Sequence, residues 1–127
     1  MGVPSLKPCD VPVNLEGESI INKPVKIADG EYNINCVSMG NPHCVVFWDR
    51  LATLDVSEIG PKFENADIFP ERVNTEFVKV VDESTLIMRV WERGNGETLA
   101  CGTGACAAVV AAVENGFCKK DEDITVR

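Results

Sequence analysis

Cys101 is the residue in this chain best placed to do chemistry. A glycine-punctuated turn, Gly94-Asn-Gly96, precedes it, and Gly102 and Gly104 follow it. Behind them runs Ala105–Val113: Ala, Cys, Ala, Ala, Val, Val, Ala, Ala, Val. Such a run predicts a helix with almost nothing polar on it, which belongs inside a domain. Thr103 reads as its N-terminal cap, and Asn115-Gly116 ends it with residues that tolerate the left-handed conformation. Cys101 then stands at the positive end of a buried helix, where free N–H groups and the helix dipole favour the thiolate. A structural thiol sits more often in the middle of an element, as Cys44 and Cys106 do.

Other candidates are weaker alone. Glu92 and Arg93 form a charged pair before the glycine turn, yet also read as exposed strand-end charges. His43, the one histidine, follows a Gly40-Asn41-Pro42 turn and reads equally as a partly buried strand-edge residue. Asn74, ahead of a strand, reads equally as a turn residue.

The elements that must hold these groups follow from patterning. Met1 to Asn22, with Pro4, Pro8 and Pro12, is loop-like and reads as a linker or lead-in. Residues 23–127 form the domain proper. Val25–Ala28 and Tyr32–Ser38 read as strands around the Asp29-Gly30 turn, and His43–Trp48 as a third strand buried on both faces. Asp55-Val-Ser-Glu58 fits a capping box, so a helix starts there. Gly60-Pro61 is expected to interrupt it, with a second helical piece to about Asn65. Thr75–Val81 and Thr85–Trp91 are two further strands, and Ile124–Arg127 begins another. Both ends of the domain look cut, because an unpaired terminal strand leaves an exposed edge.

Bulk properties limit the partners. The 127 residues suit one soluble domain with a real core. A net charge of −8 argues against nucleic acid or an anionic membrane. With no signal peptide and no apolar run of membrane-spanning length, the reading is cytoplasmic. The six cysteines contain no C-x-x-C pair, so a disulfide framework or zinc site is poorly supplied, and no metal is expected. Gly102-Thr-Gly-Ala-Cys-Ala107 matches the dinucleotide fingerprint formally. No buried strand leads into it, and the acids at 121–123 precede the next strand instead of ending it. No G-K-[ST] follows a glycine loop, so a phosphate-binding P-loop is excluded.

One stretch resembles a known family. WERGNGETLACGTGACA at 91–107 is similar to the second catalytic-cysteine motif of the diaminopimelate epimerases. MGVPSLKP at 1–8, SMGNPHCVVF at 38–47 and FPERVNTEFV at 69–78 agree with it in order and spacing. The resemblance implies an α+β fold: a strongly bent mixed sheet, a barrel-like roll wrapped around a central apolar helix, forming one of two similar domains. The family's other cysteine lies in a C-G-N-G turn of the first domain, and no such turn occurs here.

The implied activity is epimerisation of diaminopimelate between its LL and meso forms by two thiols and no cofactor. By resemblance, Cys101 is one of the pair. Gly102 and Thr103 offer amides to the reacting carboxylate, and Arg93 grips the distal one. Asn41, Asn74 and Glu92 contact the polar groups of the substrate, while His43 and Glu92 tune the thiols. The other cysteines match no catalytic position. The partners implied are the small-molecule substrate and a missing N-terminal domain, with a homodimer as the assembly of the whole enzyme. The isolated fragment is expected to be inactive. Two rivals share the fold: a racemase of another amino acid, and a non-catalytic thiol or ligand-binding module.

Overall fold

Apolar residues alternate along the strands so as to give a sheet two buried faces, and one helix covers each. The structure, a computed structural model, describes residues 3–99, 102–120 and 122–127. Strands β1 (Lys23–Ile27), β2 (Gly30–Ser38) and β3 (Pro42–Phe47) are joined in antiparallel order. A crossover containing a 3-10 turn (Leu51–Thr53) and helix α1 (Val56–Glu64) leads to β4 (Asn74–Asp82), which pairs parallel to β3. Next come β5 (Thr85–Glu92), β6 (Gly96–Thr98), helix α2 (Gly102–Glu114) and β7 (Thr125–Val126). The strand order is β1-β2-β3-β4-β5-β6, with β7 parallel to β5. This mixed seven-stranded sheet is not closed.

Two apolar clusters occupy its faces. Cys36, Cys44, Val46 and Phe77 pack with Val56, Ile59 and Phe63 of α1, and Val11, Val13 and Ile20 from the N-terminal segment join them. Val37, Val45, Val78 and Leu86 pack with Ala107, Ala108, Ala111 and Ala112 of α2. The alanines recur at helical spacing, and their small side chains let α2 lie close on the sheet.

Several elements differ from the sequence expectation. α2 is not buried all round: its alanine stripe is covered, while Val109, Val110 and Val113 are only partly so. Thr103 lies inside the helix, which begins at Gly102, and therefore is not its cap. The C-terminal end is as expected, with Gly116 at φ 77° and Phe117 N–H donating to Ala112 C=O at 2.9 Å. α1 is continuous, with Pro61 inside it. Asp55 makes no side-chain cap; its carbonyl instead accepts the amides of Glu58 and Ile59. Gly60 does not break the helix either. A Cβ there would run into the Trp91 ring, so glycine serves close approach of helix to strand. The glycine turn after Glu92 is a hairpin, because Gly96–Thr98 pairs antiparallel to β5. No disulfide joins Cys9, Cys36, Cys44, Cys106 and Cys118.

Candidate active site

Strand alternation gathers the polar candidates. His43 on β3, Asn74 and Glu76 on β4 and Glu92 on β5 share parity with Val45, Val78 and Val90, and so belong to the α2 face. His43 is paired in register with Asn74, and Glu76 lies between Val45 and Val90. The β2–β3 turn brings Asn41 beside them, and α2 begins with Gly102 and Thr103 on the same face.

A chain of hydrogen bonds runs through this cluster. A carboxyl oxygen of Glu76, Oε2, lies 2.9 Å from His43 Nδ1. His43 Nε2 lies 2.9 Å from Asn41 Oδ1, and Asn41 Nδ2 donates to Thr103 Oγ1 at 3.3 Å. Because Asn41 presents its oxygen to the ring, Nε2 carries a hydrogen. His43 and Glu76 are both fully buried, so the histidine is not the half-exposed strand-edge residue its sequence context allowed. Burial, helped by the Arg93 charge and opposed by Glu92, lowers the His43 pKa to about 4. Burial, reinforced by Glu92, pushes the Glu76 carboxyl well above the usual carboxylate range. The contact has ion-pair geometry, but both directions favour the neutral form: carboxylic acid beside neutral imidazole. Glu76 Oε1 has no hydrogen-bond partner among the described residues, which also suits an uncharged acid.

A second set of bonds fixes the Glu92–Gly94 corner. Asn74 Oδ1 accepts the Arg93 amide at 2.8 Å, and Asn74 Nδ2 donates to Pro42 C=O at 3.0 Å. Glu64, at the end of α1 and 6% exposed, accepts the Gly94 amide at 3.0 Å. The same carboxylate accepts the Trp91 indole N–H and Arg72 Nη1, each at 2.8 Å. Arg93 Nη1 donates to Glu71 C=O at 2.9 Å. Consecutive amides, 93 and 94, are thus held from opposite sides, and Gly94 takes φ 81°.

Of the residues singled out from sequence, Asn41, His43, Asn74, Arg93 and Thr103 are joined by these contacts, and Glu92 acts on His43 electrostatically. Gly102 is exposed at the start of α2 and borders a cavity of about 230 Å³ shared with Val90, Thr98, Leu99 and Arg127. Cys101 lies outside the described residues. Sequence reasoning missed Glu64 and Glu76. Each carried a signal: Glu64 continues the stripe of Val56, Ile59, Gly60 and Phe63, and Glu76 alternates with Asn74 and Val78 on an inward strand face. No group of three or more His, Cys, Asp or Glu side chains among the described residues has metal-holding geometry. No described helix is long and apolar enough to cross a membrane.

Fold and site together define an α+β domain in which a buried imidazole is linked through Asn41 to the first turn of an apolar helix, beside a clamped strand corner that carries a guanidinium. The profile of the diaminopimelate epimerase family matches residues 35–127, and the chain belongs to that family. It is 52% identical over 120 residues to the diaminopimelate epimerase of Acetivibrio thermocellus, covering 94% of this chain and 43% of the relative. Against the Nostoc punctiforme diaminopimelate epimerase, identity is 48% over 122 residues, with 94% and 44% covered. Against that of Desulfovibrio desulfuricans, identity is 46% over 133 residues, with 100% and 46% covered. The chain therefore spans less than half the length of these curated relatives.

Proposed function

We propose that this chain supplies one half of a cofactor-independent diaminopimelate epimerase and carries one of its two catalytic thiols. The observations that carry the reading are the clamped Arg93–Gly94 corner and the His43–Asn41–Thr103 hydrogen bonds at the start of α2, in a chain of this family. Inverting an α-carbon requires proton removal on one face and delivery on the other. A thiolate and a thiol across the substrate can exchange these roles, whereas one base cannot serve both faces.

In this reading Cys101 Sγ takes the α-proton, and the second thiol, from the N-terminal domain, returns one to the opposite face. The carbanion's charge spreads into the adjacent carboxylate, which is received by the amides of Gly102 and Thr103 at the helix start. Arg93 holds the distal carboxylate, where a two-pronged guanidinium contact selects length. Asn41, Asn74 and Glu92 meet the amino groups and remaining oxygens, and His43 with Glu92 sets the thiol acidity. The sheet closes into a barrel-like roll around α2 in the complete domain, covering the half-exposed valines. Closure of the two domains excludes water from the weakly acidic α-hydrogen. Residues 1–22 lead in and 23–127 form the body of the second domain. The whole enzyme works in the cytoplasm as a homodimer.

The isolated chain and the full-length protein, assayed side by side for release of the α-hydrogen of LL-diaminopimelate, test this. The full-length protein is expected to exchange it and the isolated chain to be silent. Epimerisation by the chain alone defeats the half-site reading. Exchange of another amino acid, with diaminopimelate untouched, would favour a racemase of different specificity.

A further inference from the structure

Glu76 is a buried titratable group to which the mechanism above gives no role. Glu76 sits in the middle of β4, fully buried between Val45 and Val90 in register, where an apolar side chain would complete the α2-facing core. Burying a carboxyl there is costly unless its hydrogen bonds are put to use. Its one described partner is His43, which leads through Asn41 to Thr103.

We propose that Glu76 is a positioning residue for the helix-start anion site, sharing one proton with His43, holding the imidazole hydrogen on Nε2, and through Asn41 fixing the orientation of Thr103. This rests on the epimerase reading for its consequence, since Thr103 there receives the reacting carboxylate. It does not rest on that reading for its geometry.

The order of donors follows from chemistry. The acid O–H of Glu76 donates to Nδ1, Nε2–H donates to Asn41 Oδ1, and Asn41 Nδ2–H donates to Thr103 Oγ1. Every link has one donor and one acceptor, and the pair carries no net charge. Among the described residues, the titratable groups acting on it are Glu92 and Arg93 from the β5 end and Cys44 from β3. Glu92 and Arg93 oppose each other at His43, so the neutral arrangement does not depend on either alone. An ionised Glu76 would instead draw a proton to Nδ1 and leave imidazolium beside Arg93.

Two variants and one spectrum test this in the full-length protein. Glu76→Gln keeps an N–H to donate to Nδ1, so its kcat/KM is expected within about three-fold of wild type, with the same pH profile. Glu76→Leu fills the space without a donor, and its kcat/KM is expected to fall roughly 10- to 100-fold, with a displaced pH profile, because the Asn41 contact on Thr103 is no longer held in place. Histidine ¹⁵N spectra of the wild type, with His43 assigned by its loss in His43→Asn, are expected to show a neutral ring protonated on Nε2. The proposal is overturned by wild-type activity in Glu76→Leu, by a Glu76→Gln as impaired as Glu76→Leu, or by an imidazolium signal at neutral pH. Should Glu76→Leu fail to fold, Glu76→Gln and the spectrum decide. A wild-type protein that leaves diaminopimelate unchanged sinks the epimerase reading alone, and the ring's protonation state still decides the proposal.

Discussion

Asn74 holds Arg93 by its main chain: the side-chain oxygen accepts the Arg93 amide at 2.8 Å while the same side chain donates to Pro42. One buried amide therefore ties the β4 start to the β2–β3 turn and to the corner carrying the guanidinium. Replacing Asn74 with alanine leaves a buried N–H and a buried carbonyl unpaired, a loss of about 1–3 kcal/mol. The expected outcome in the full-length protein is a lower melting temperature and a raised KM for diaminopimelate. Aspartate at 74 keeps the acceptor for Arg93 but loses the donor to Pro42, so it should be intermediate.

Glu64 performs the matching task from the other side. Its carboxylate takes three donors at once: Trp91, Arg72 and Gly94. Glu64→Ala should cost about 1–3 kcal/mol, since it strands the Trp91 and Gly94 N–H donors while the half-exposed Arg72 turns to water. Glu64→Gln should cost less and raise KM more than it lowers kcat, because it misplaces Arg93 without touching the thiols. Urea unfolding and steady-state kinetics check both parts.

Gly60 makes a purely steric prediction. Alanine there would collide with the Trp91 ring, so either helix or strand must shift. Gly60→Ala is expected to destabilise by about 1–3 kcal/mol despite alanine's better helix propensity. A stability equal to or above that of the wild type would show that the α1–β5 approach is looser than described.

The Glu76–His43 pair also predicts how stability depends on pH. Glu76 is raised from an ordinary value of 4.5, and His43 is lowered from 6.5 to about 4. Between 4.5 and 6.5 a folded pair of protonated Glu76 and neutral His43 holds one proton, as the unfolded pair does, so the two effects cancel. Above 6.5 the unfolded chain loses its histidine proton, and for as long as folded Glu76 keeps its own, stability falls as pH rises. Below 4.5 the unfolded chain binds a second proton first, so stability falls with acid until His43 itself titrates near 4. Glu76→Gln removes the carboxyl from this balance. Its stability relative to wild type should therefore improve by up to about 1.4 kcal/mol per pH unit from 4.5 to the pH at which folded Glu76 ionises, read from denaturant midpoints.

Much of this architecture was legible in the residues. The β1–β2 hairpin, the apolar β3 and the Asn115-Gly116 stop follow from alternation and turn chemistry, which act locally. Gly60-Pro61 misled because its reason is tertiary: glycine yields to the Trp91 ring, and no local rule announces that. The polar hub at Glu64 was hidden for the same reason, since its three donors come from segments 8, 27 and 30 residues away. Asn41, His43, Asn74, Arg93 and Thr103 take their site roles from the resemblance alone. Their joining by hydrogen bonds depends on β3–β4 register, which the sequence pattern does not specify.

The central claim is that Cys101 moves the α-proton. Solvent deuterium incorporation at the α-carbon of diaminopimelate, followed with the full-length protein and its Cys101→Ala variant, tests it most directly. The variant is expected to lose at least about 100-fold in exchange rate while still folding and binding substrate. Exchange at the wild-type rate without that sulfur would contradict the account.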